Sequence, residues 1–111
     1  MATALNLGEF EQLILLAILR LGDGAYGVTI RAELAERGGR HVAPGALYTA
    51  LERLEAKRAI TSRMGDPTPQ RGGRAKRYVT VTRVGKEALT RALQAYERLL
   101  DGLDLLRGAH A

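Results

Sequence analysis

The spacing of apolar residues changes once along the 111-residue chain, and this change limits the folds that the chain can adopt. Up to about residue 59, apolar residues recur at the three- and four-residue intervals typical of amphipathic helices. Glycines divide this part into three predicted helices, the third of which begins at Pro44. The segments 60–64 and 76–81 are instead rich in β-branched residues and alternate in polarity, so we expect two strands. The chain is therefore predicted to be mainly α with a small β-hairpin.

The three predicted helices differ in how much of their surface is apolar. The first, in LGEFEQLILLAILRL, is apolar nearly all round in its second half, which is typical of a helix buried on more than one side. The second is predicted over about 26–37. In the third, Leu47, Leu51 and Leu54 form an apolar stripe, and the opposite face carries small or polar residues. This order is that of a helix-turn-helix, and the hairpin that follows, with a long loop at 65–75, is interpreted as its wing.

A long C-terminal helix is predicted from Thr82, as the N-cap, to about Leu106. Such a helix would be roughly 35 Å long, about the length of the small domain beside it. Its apolar residues follow the 4-3-4-3 spacing of a coiled coil, at Leu89, Leu93, Tyr96, Leu100 and Leu103. One small domain cannot cover all of this apolar surface, so we infer that a second subunit does.

Positive charge is concentrated in one segment of the chain. The formal net charge is +5, but residues 57–77 contain seven basic residues and a single acid, a net +6. The basic residues are Lys57, Arg58, Arg63, Arg71, Arg74, Lys76 and Arg77. A basic segment across the predicted wing favours a polyanionic partner, with nucleic acid ahead of an anionic membrane.

Composition excludes several classes of function. The chain has no cysteine and only two histidines, which argues against disulfides, thiol nucleophiles, a histidine metal site and a bound cofactor. It contains no nucleophile–base constellation of the kind an enzyme requires. The longest strongly apolar run, 13–19, is too short to cross a membrane and does not read as a signal peptide. A cytoplasmic, non-enzymatic protein without a membrane partner is expected.

Three strings follow one another along the chain: LGEFEQLILLAILRL with GDGAYGVTI, then VAPGALYTALERLEAKRAI, and finally GGRAKRYVTVTRVGKEAL. With these strings the sequence resembles the PadR-type transcriptional regulators. The strings cover roughly residues 7–93 in the correct order, and the short chain is similar to the branch of the family with one C-terminal helix. The resemblance implies a winged helix-turn-helix with a long C-terminal dimerisation helix, which represses transcription by binding operator DNA as a homodimer.

The resemblance also implies which residues meet DNA and which meet the second subunit. In the family the third helix enters the major groove. By residue type, Arg53 could read guanine there and Glu52 cytosine, and an ordinary surface pair is the open alternative for these two residues. The expected DNA contacts are Tyr48, Thr49, Glu52, Arg53 and Lys57 on the third helix, and Arg71, Arg74, Lys76 and Arg77 on the wing. The expected dimer contacts are Leu13 and Leu16 on the first helix, and Leu89, Leu93, Tyr96, Leu100 and Leu103 on the last.

These inferences predict three regions and leave two alternatives open. Residues 1–82 would form the winged helix-turn-helix domain, 83–107 the dimerisation helix and 108–111 a flexible tail. Some members of the family bind planar aromatic effectors between their subunits, in one case against paired tryptophans; this chain has no tryptophan, so an effector of undefined chemistry is an open alternative. A winged-helix module that binds a protein instead of DNA is the alternative function, and it predicts a neutral wing.

Overall fold

The helices and the hairpin follow one another in the predicted order within residues 5–65 and 75–108, the part of the chain that a computed structural model describes. The helices are α1 (Glu9–Leu21), α2 (Gly27–Glu36), α3 (Pro44–Ala56), α4 (Arg83–Leu100) and the short α5 (Leu105–Gly108). The strands are β1 (Ile60–Met64) and β2 (Arg77–Val81), and a short 3-10 turn (Gly22–Gly24) links α1 to α2. The mainly α fold with an antiparallel hairpin is therefore confirmed.

The hairpin is joined to the helices along the backbone of β2. Its two strands pair antiparallel, with Ile60 opposite Val81 and Arg63 opposite Tyr78. On the other edge of β2, the N–H of Val79 donates to the carbonyl oxygen of Ala25 at 2.9 Å, just before α2 begins. The wing is thus hydrogen-bonded to the start of the helix-turn-helix. The predicted loop falls mostly at 66–74, which lies outside the described residues, as do 109–111 of the expected tail.

The core lies between α1, α2, α3 and the hairpin. Its largest fully buried side chains are Ile14, Leu15, Ile30, Leu47, Leu54 and Ile60. The first turns of α4 complete this core, since Ala88 and Leu89 are also buried. Leu89 is only 3% exposed, so its side chain packs inside its own subunit and not on the free face predicted for dimer contact.

The last helix begins as predicted but ends earlier. The Thr82 hydroxyl accepts a hydrogen bond from the N–H of Gly85 at 3.0 Å, the N-cap contact expected from the sequence. The helix stops at Leu100 instead of Leu106, because Asp101 is extended and Gly102 has a φ of +83°, a left-handed conformation that glycine adopts without strain. Leu103 therefore lies beyond α4, and the coiled-coil spacing in the helix ends at Leu100.

Candidate nucleic-acid interface

The outer face of α3 is exposed because the opposite face supplies the core. Pro44 occupies the first turn, where its missing N–H has no helical partner to lose. Leu47, Ala50, Leu51 and Leu54 are buried, which confirms the predicted apolar stripe. The residues predicted to meet DNA on the other face are all exposed: Tyr48, Thr49, Glu52 and Arg53.

The exposed side chains of this face differ in whether they already have a partner within the protein. Tyr48 is 54% exposed, so its ring and hydroxyl group are open to solvent. The Thr49 hydroxyl instead donates to the Gly45 carbonyl oxygen at 3.0 Å, within its own helix. Among the described residues, no acid lies within salt-bridge distance of Arg53. Arg53 is therefore the predicted base-reading cation that is available without first breaking an ion pair.

The inner face of the wing is attached to α3 through Glu55. Arg77 forms an ion pair with Glu55, and the Ser62 hydroxyl donates to the same carboxylate at 3.3 Å. Ser62 is on β1 and Arg77 on β2, so one carboxylate of α3 bonds both strands. Arg77, predicted as a DNA contact, thus acts in this structure as a brace between the wing and α3.

The outer face of the wing is stacked against the start of α2. The rings of Tyr26 and Tyr78 meet edge to face with 5.4 Å between centroids. The Arg63 guanidinium lies 4.8 Å from the Tyr78 ring, and the Lys76 ammonium lies 4.9 Å from the Tyr26 ring. Such cation–π contacts orient a basic side chain while leaving its charge intact. The cluster therefore holds two cations on the wing, of which Lys76 was predicted as a DNA contact and Arg63 was not.

Lys57 lies away from the outer face of α3, although it was predicted to contact DNA. Its ammonium donates to both carboxylate oxygens of Glu11, at 2.7 and 2.9 Å, and to the Asn6 carbonyl oxygen at 2.9 Å. Glu11 belongs to α1 and is only 3% exposed. The structure brings Tyr48, Thr49, Glu52 and Arg53 together on one face, and it separates Lys57 from them. Arg71 and Arg74 lie outside the described residues.

The predicted dimer residues form two separate apolar surfaces. Leu13 and Leu16 are half-buried and line a groove of about 290 Å³ between α1 and α2, with Leu34 opposite. On α4, Leu93 and Tyr96 are exposed and Leu100 is half-buried; Leu103 is exposed beyond the helix. Leu99, on the same helix, is 77% exposed.

Clusters of metal ligands and membrane-spanning helices are both absent from the described residues. Within them, no group of three or more histidines, cysteines or acids is arranged to hold a metal ion. None of the helices in the described ranges is long and apolar enough to cross a membrane.

Comparison with known proteins identifies the family of this fold. The model of the "Transcriptional regulator PadR-like family" matches residues 15–91. Transcriptional regulator Rv3488 of Mycobacterium tuberculosis is 40% identical over 67% of this chain and 64% of its own length. An uncharacterized protein of transposon TN4556 from Streptomyces fradiae is 34% identical over 77% of this chain. The chain spans only 23% of that protein, so it matches a part of these curated relatives and not their full length.

Solved structures show the same fold. A PadR family transcription regulator from Clostridium difficile has a TM-score of 0.69 and 26% identity, covering 87% of this chain and 97% of that one. Bacillus subtilis PadR, solved in complex with operator DNA, has a TM-score of 0.61 and 26% identity over 77% of this chain and 48% of its own. Since the family model covers well over half of the sequence, the chain belongs to the PadR-like family of transcriptional regulators, in which a non-enzymatic role is expected.

Proposed function

We propose that this chain is a homodimeric, sequence-specific DNA-binding repressor. The observation that carries the proposal is the exposed polar face of α3 beside a wing whose cations are held in place. A helix of this width fits the major groove of B-DNA, and an arginine on its outer face can donate two hydrogen bonds to guanine. Arg53 is the residue that we assign to base reading, and Tyr48 is assigned to the flanking backbone.

The wing supplies the contacts that do not depend on sequence. Phosphate contacts provide most of the non-specific affinity of a DNA-binding protein. Arg63 and Lys76 stack on tyrosine rings at the wing base, so their charges are oriented before DNA arrives. This cationic wing favours DNA over the alternative of a protein-binding module, which would need a neutral one. The structure of Bacillus subtilis PadR with operator DNA supports the same use of the fold.

The dimer is supported by the surface of α4. The radius of gyration is 16.0 Å, against about 13 Å for a compact domain of this length. Beyond Leu89, α4 carries apolar side chains that its own subunit leaves exposed, by 40% at Leu93, 48% at Tyr96 and 77% at Leu99. A second copy that covers them through α4 and α1 would bury this surface. In a two-fold dimer the two α3 helices would then read half-sites about 10 base pairs apart.

A small-molecule effector would act most directly at the groove between α1 and α2. The apolar walls of this groove include Leu13 and Leu16, which are proposed to lie at the dimer interface. A ligand there would change how α1 packs, and release from DNA would follow. A repressor that binds chromosomal DNA would act in the cytoplasm, the location expected from the sequence.

The proposal is tested by selecting duplexes from a random DNA pool with the purified protein, then measuring anisotropy across a salt series. The expected result is a pseudo-palindromic duplex that stays bound by two chains when scrambled DNA is added as competitor. The logarithm of the association constant should fall by about 0.9 per contacted phosphate for each log unit of salt concentration. Equal weak binding to all duplexes would refute sequence-specific recognition. A reporter placed downstream of the selected duplex then tests repression, which requires lower expression with the protein than without it.

A further inference from the structure

The C-terminal end of α3 is bonded to both of the helices that we propose to form the dimer. On the α1 side, the Lys57 ammonium uses its three N–H groups on Glu11 and on the Asn6 carbonyl oxygen. Glu11 in turn accepts the N–H of Gly8 at 2.7 Å, where the chain enters α1. This pair therefore ties α3 to the first turn of α1.

On the α4 side, the residues that follow α3 are bonded to the start of the last helix. The carbonyl oxygen of Arg58 accepts the Thr82 hydroxyl at 2.7 Å, and that of Ala59 accepts the Thr82 N–H at 2.9 Å. Gly85 lies so close to Ala59 that a side chain at position 85 would overlap its carbonyl oxygen. We call the contacts of Lys57, Arg58 and Ala59 with α1 and α4 the α3 junction.

A small rotation at this junction has a large effect at the other end of α3. The helix contains 13 residues, and it is about 20 Å long at ~1.5 Å per residue. A rotation of about 10° at its C-terminal end moves the N-terminal end by roughly 3.4 Å, which is one base-pair step. In a two-fold dimer, a change in the angle between α3 and α1 would therefore shift Tyr48 relative to the half-sites, and would shift Arg53, four residues before Lys57, by a smaller distance.

We propose that Glu11 and Lys57 are positioning residues that fix the angle of α3 to α1, and thereby set the half-site spacing that the dimer selects. This inference rests on the proposed DNA-binding function. The two residues need not touch DNA to act in this way. Breaking the pair leaves the α4 contacts of the junction in place, so α3 would keep its helical structure while its angle becomes less restricted.

The test uses two variants that break the same pair but change the charge of the chain in opposite directions. Glu11→Gln makes the chain more positive and Lys57→Met makes it less positive. Electrostatic attraction to DNA alone predicts opposite changes in affinity, whereas a positioning role predicts the same broadening of spacing preference in both. Glu87→Gln and Lys86→Met are matched controls, because both residues are exposed on α4.

Affinity is measured for the duplex that the wild type selects, and for versions with one or two base pairs added to or removed from its centre. We expect the affinity of the wild type to fall about tenfold or more for each base pair added or removed, which is the cost typical of a mismatched base pair. The affinity of both pair variants should fall less than about threefold for the same change in spacing, and the salt dependence of their binding should be unchanged. Glu11→Leu combined with Lys57→Met replaces the part-buried pair by apolar groups, a kind of replacement that often preserves stability, and it should broaden the spacing profile too.

Several results would overturn this role. An unchanged spacing profile in the folded variants would show that the pair only stabilises the subunit. A salt dependence that weakens by about 0.9 in Lys57→Met would show that Lys57 contacts a phosphate instead. If the wild type selects no duplex, the proposed DNA-binding function itself fails, which is a different outcome from a selected duplex whose spacing profile ignores the pair.

Discussion

Gly85→Ala tests the close approach between α4 and the residues that follow α3. A Cβ atom at position 85 would lie 2.3 Å from the Ala59 carbonyl oxygen and 3.0 Å from a methyl carbon of Val81. The overlapping atom belongs to the backbone, so it cannot rotate away as the end of a flexible side chain could. That oxygen also accepts the Thr82 N–H, so relieving the overlap weakens a hydrogen bond at the start of α4.

The expected loss in free energy of unfolding is about 2 kcal/mol. Overpacking costs about 1–3 kcal/mol, and the weakened hydrogen bond adds roughly 1 kcal/mol. Alanine is a better helix former than glycine by about 1 kcal/mol, and this gain works in the opposite direction. The steric cost is larger than the gain in helix propensity, so the net effect is destabilising.

The measurement is urea unfolding followed by circular dichroism, at one fixed protein concentration because a dimer's stability depends on concentration. Gly45→Ala is the matched control, since Gly45 is also helical but has no atom within 4 Å of an added Cβ. We expect that substitution to stabilise the protein by up to about 1 kcal/mol. If Gly85→Ala unfolds at the same urea concentration as the wild type or higher, α4 does not approach residue 59 as closely as described.

Three further experiments test the interface, the wing and the dimer. Arg53→Lys keeps the charge but loses the bidentate hydrogen-bonding geometry of the guanidinium group. Anisotropy should therefore show a difference in binding free energy between the selected and scrambled duplexes that is about 1–3 kcal/mol smaller, and an unchanged difference would show that Arg53 does not read bases. A double-mutant cycle of Glu55→Gln with Arg77→Gln, followed by urea unfolding, should give a coupling of about 0.2–1 kcal/mol, because both side chains are partly exposed; no coupling would mean that the pair is not a brace. Leu93→Asp should shift sedimentation towards the monomer while Gln94→Asp does not, and equal behaviour of the two variants would exclude this face of α4 from the dimer.

Local patterns in the sequence predicted most of the fold. The buried stripe on α3 and the two β-branched strands depend on residues near one another in the chain, and helical or alternating spacing describes them well. The end of α4 was missed because apolar residues continue at regular spacing past Gly102. The left-handed conformation of Gly102, and not a change in hydrophobicity, ends that helix. Leu89 was misplaced because periodicity identifies an apolar face but not the partner that covers it.

The position of Lys57 could not follow from local spacing alone. Its partner Glu11 is distant in sequence, and a basic residue next to a basic wing is most simply interpreted as part of the DNA surface. One signal was present, because Glu11 lies three residues before Ile14 on the stripe of α1 that is buried. A carboxylate on a buried stripe requires a cation or several donors nearby, and the end of α3 offered one. A search for a partner to this acid would have led to Lys57.

The exposed and the bonded residues of α3 and its C-cap are therefore proposed to have different roles, and this affects how their variants should be interpreted. Tyr48, Thr49, Glu52 and Arg53 lie exposed on one face, where we propose that they contact DNA. Glu55 and Lys57 bond instead to the wing and to α1, so substitutions there change where the exposed face is held. We expect both kinds of variant to weaken DNA binding, but only the first kind should change the preferred bases or the salt dependence. A change in preferred spacing, with bases and salt dependence kept, is the property that separates an anchoring residue from a contacting one.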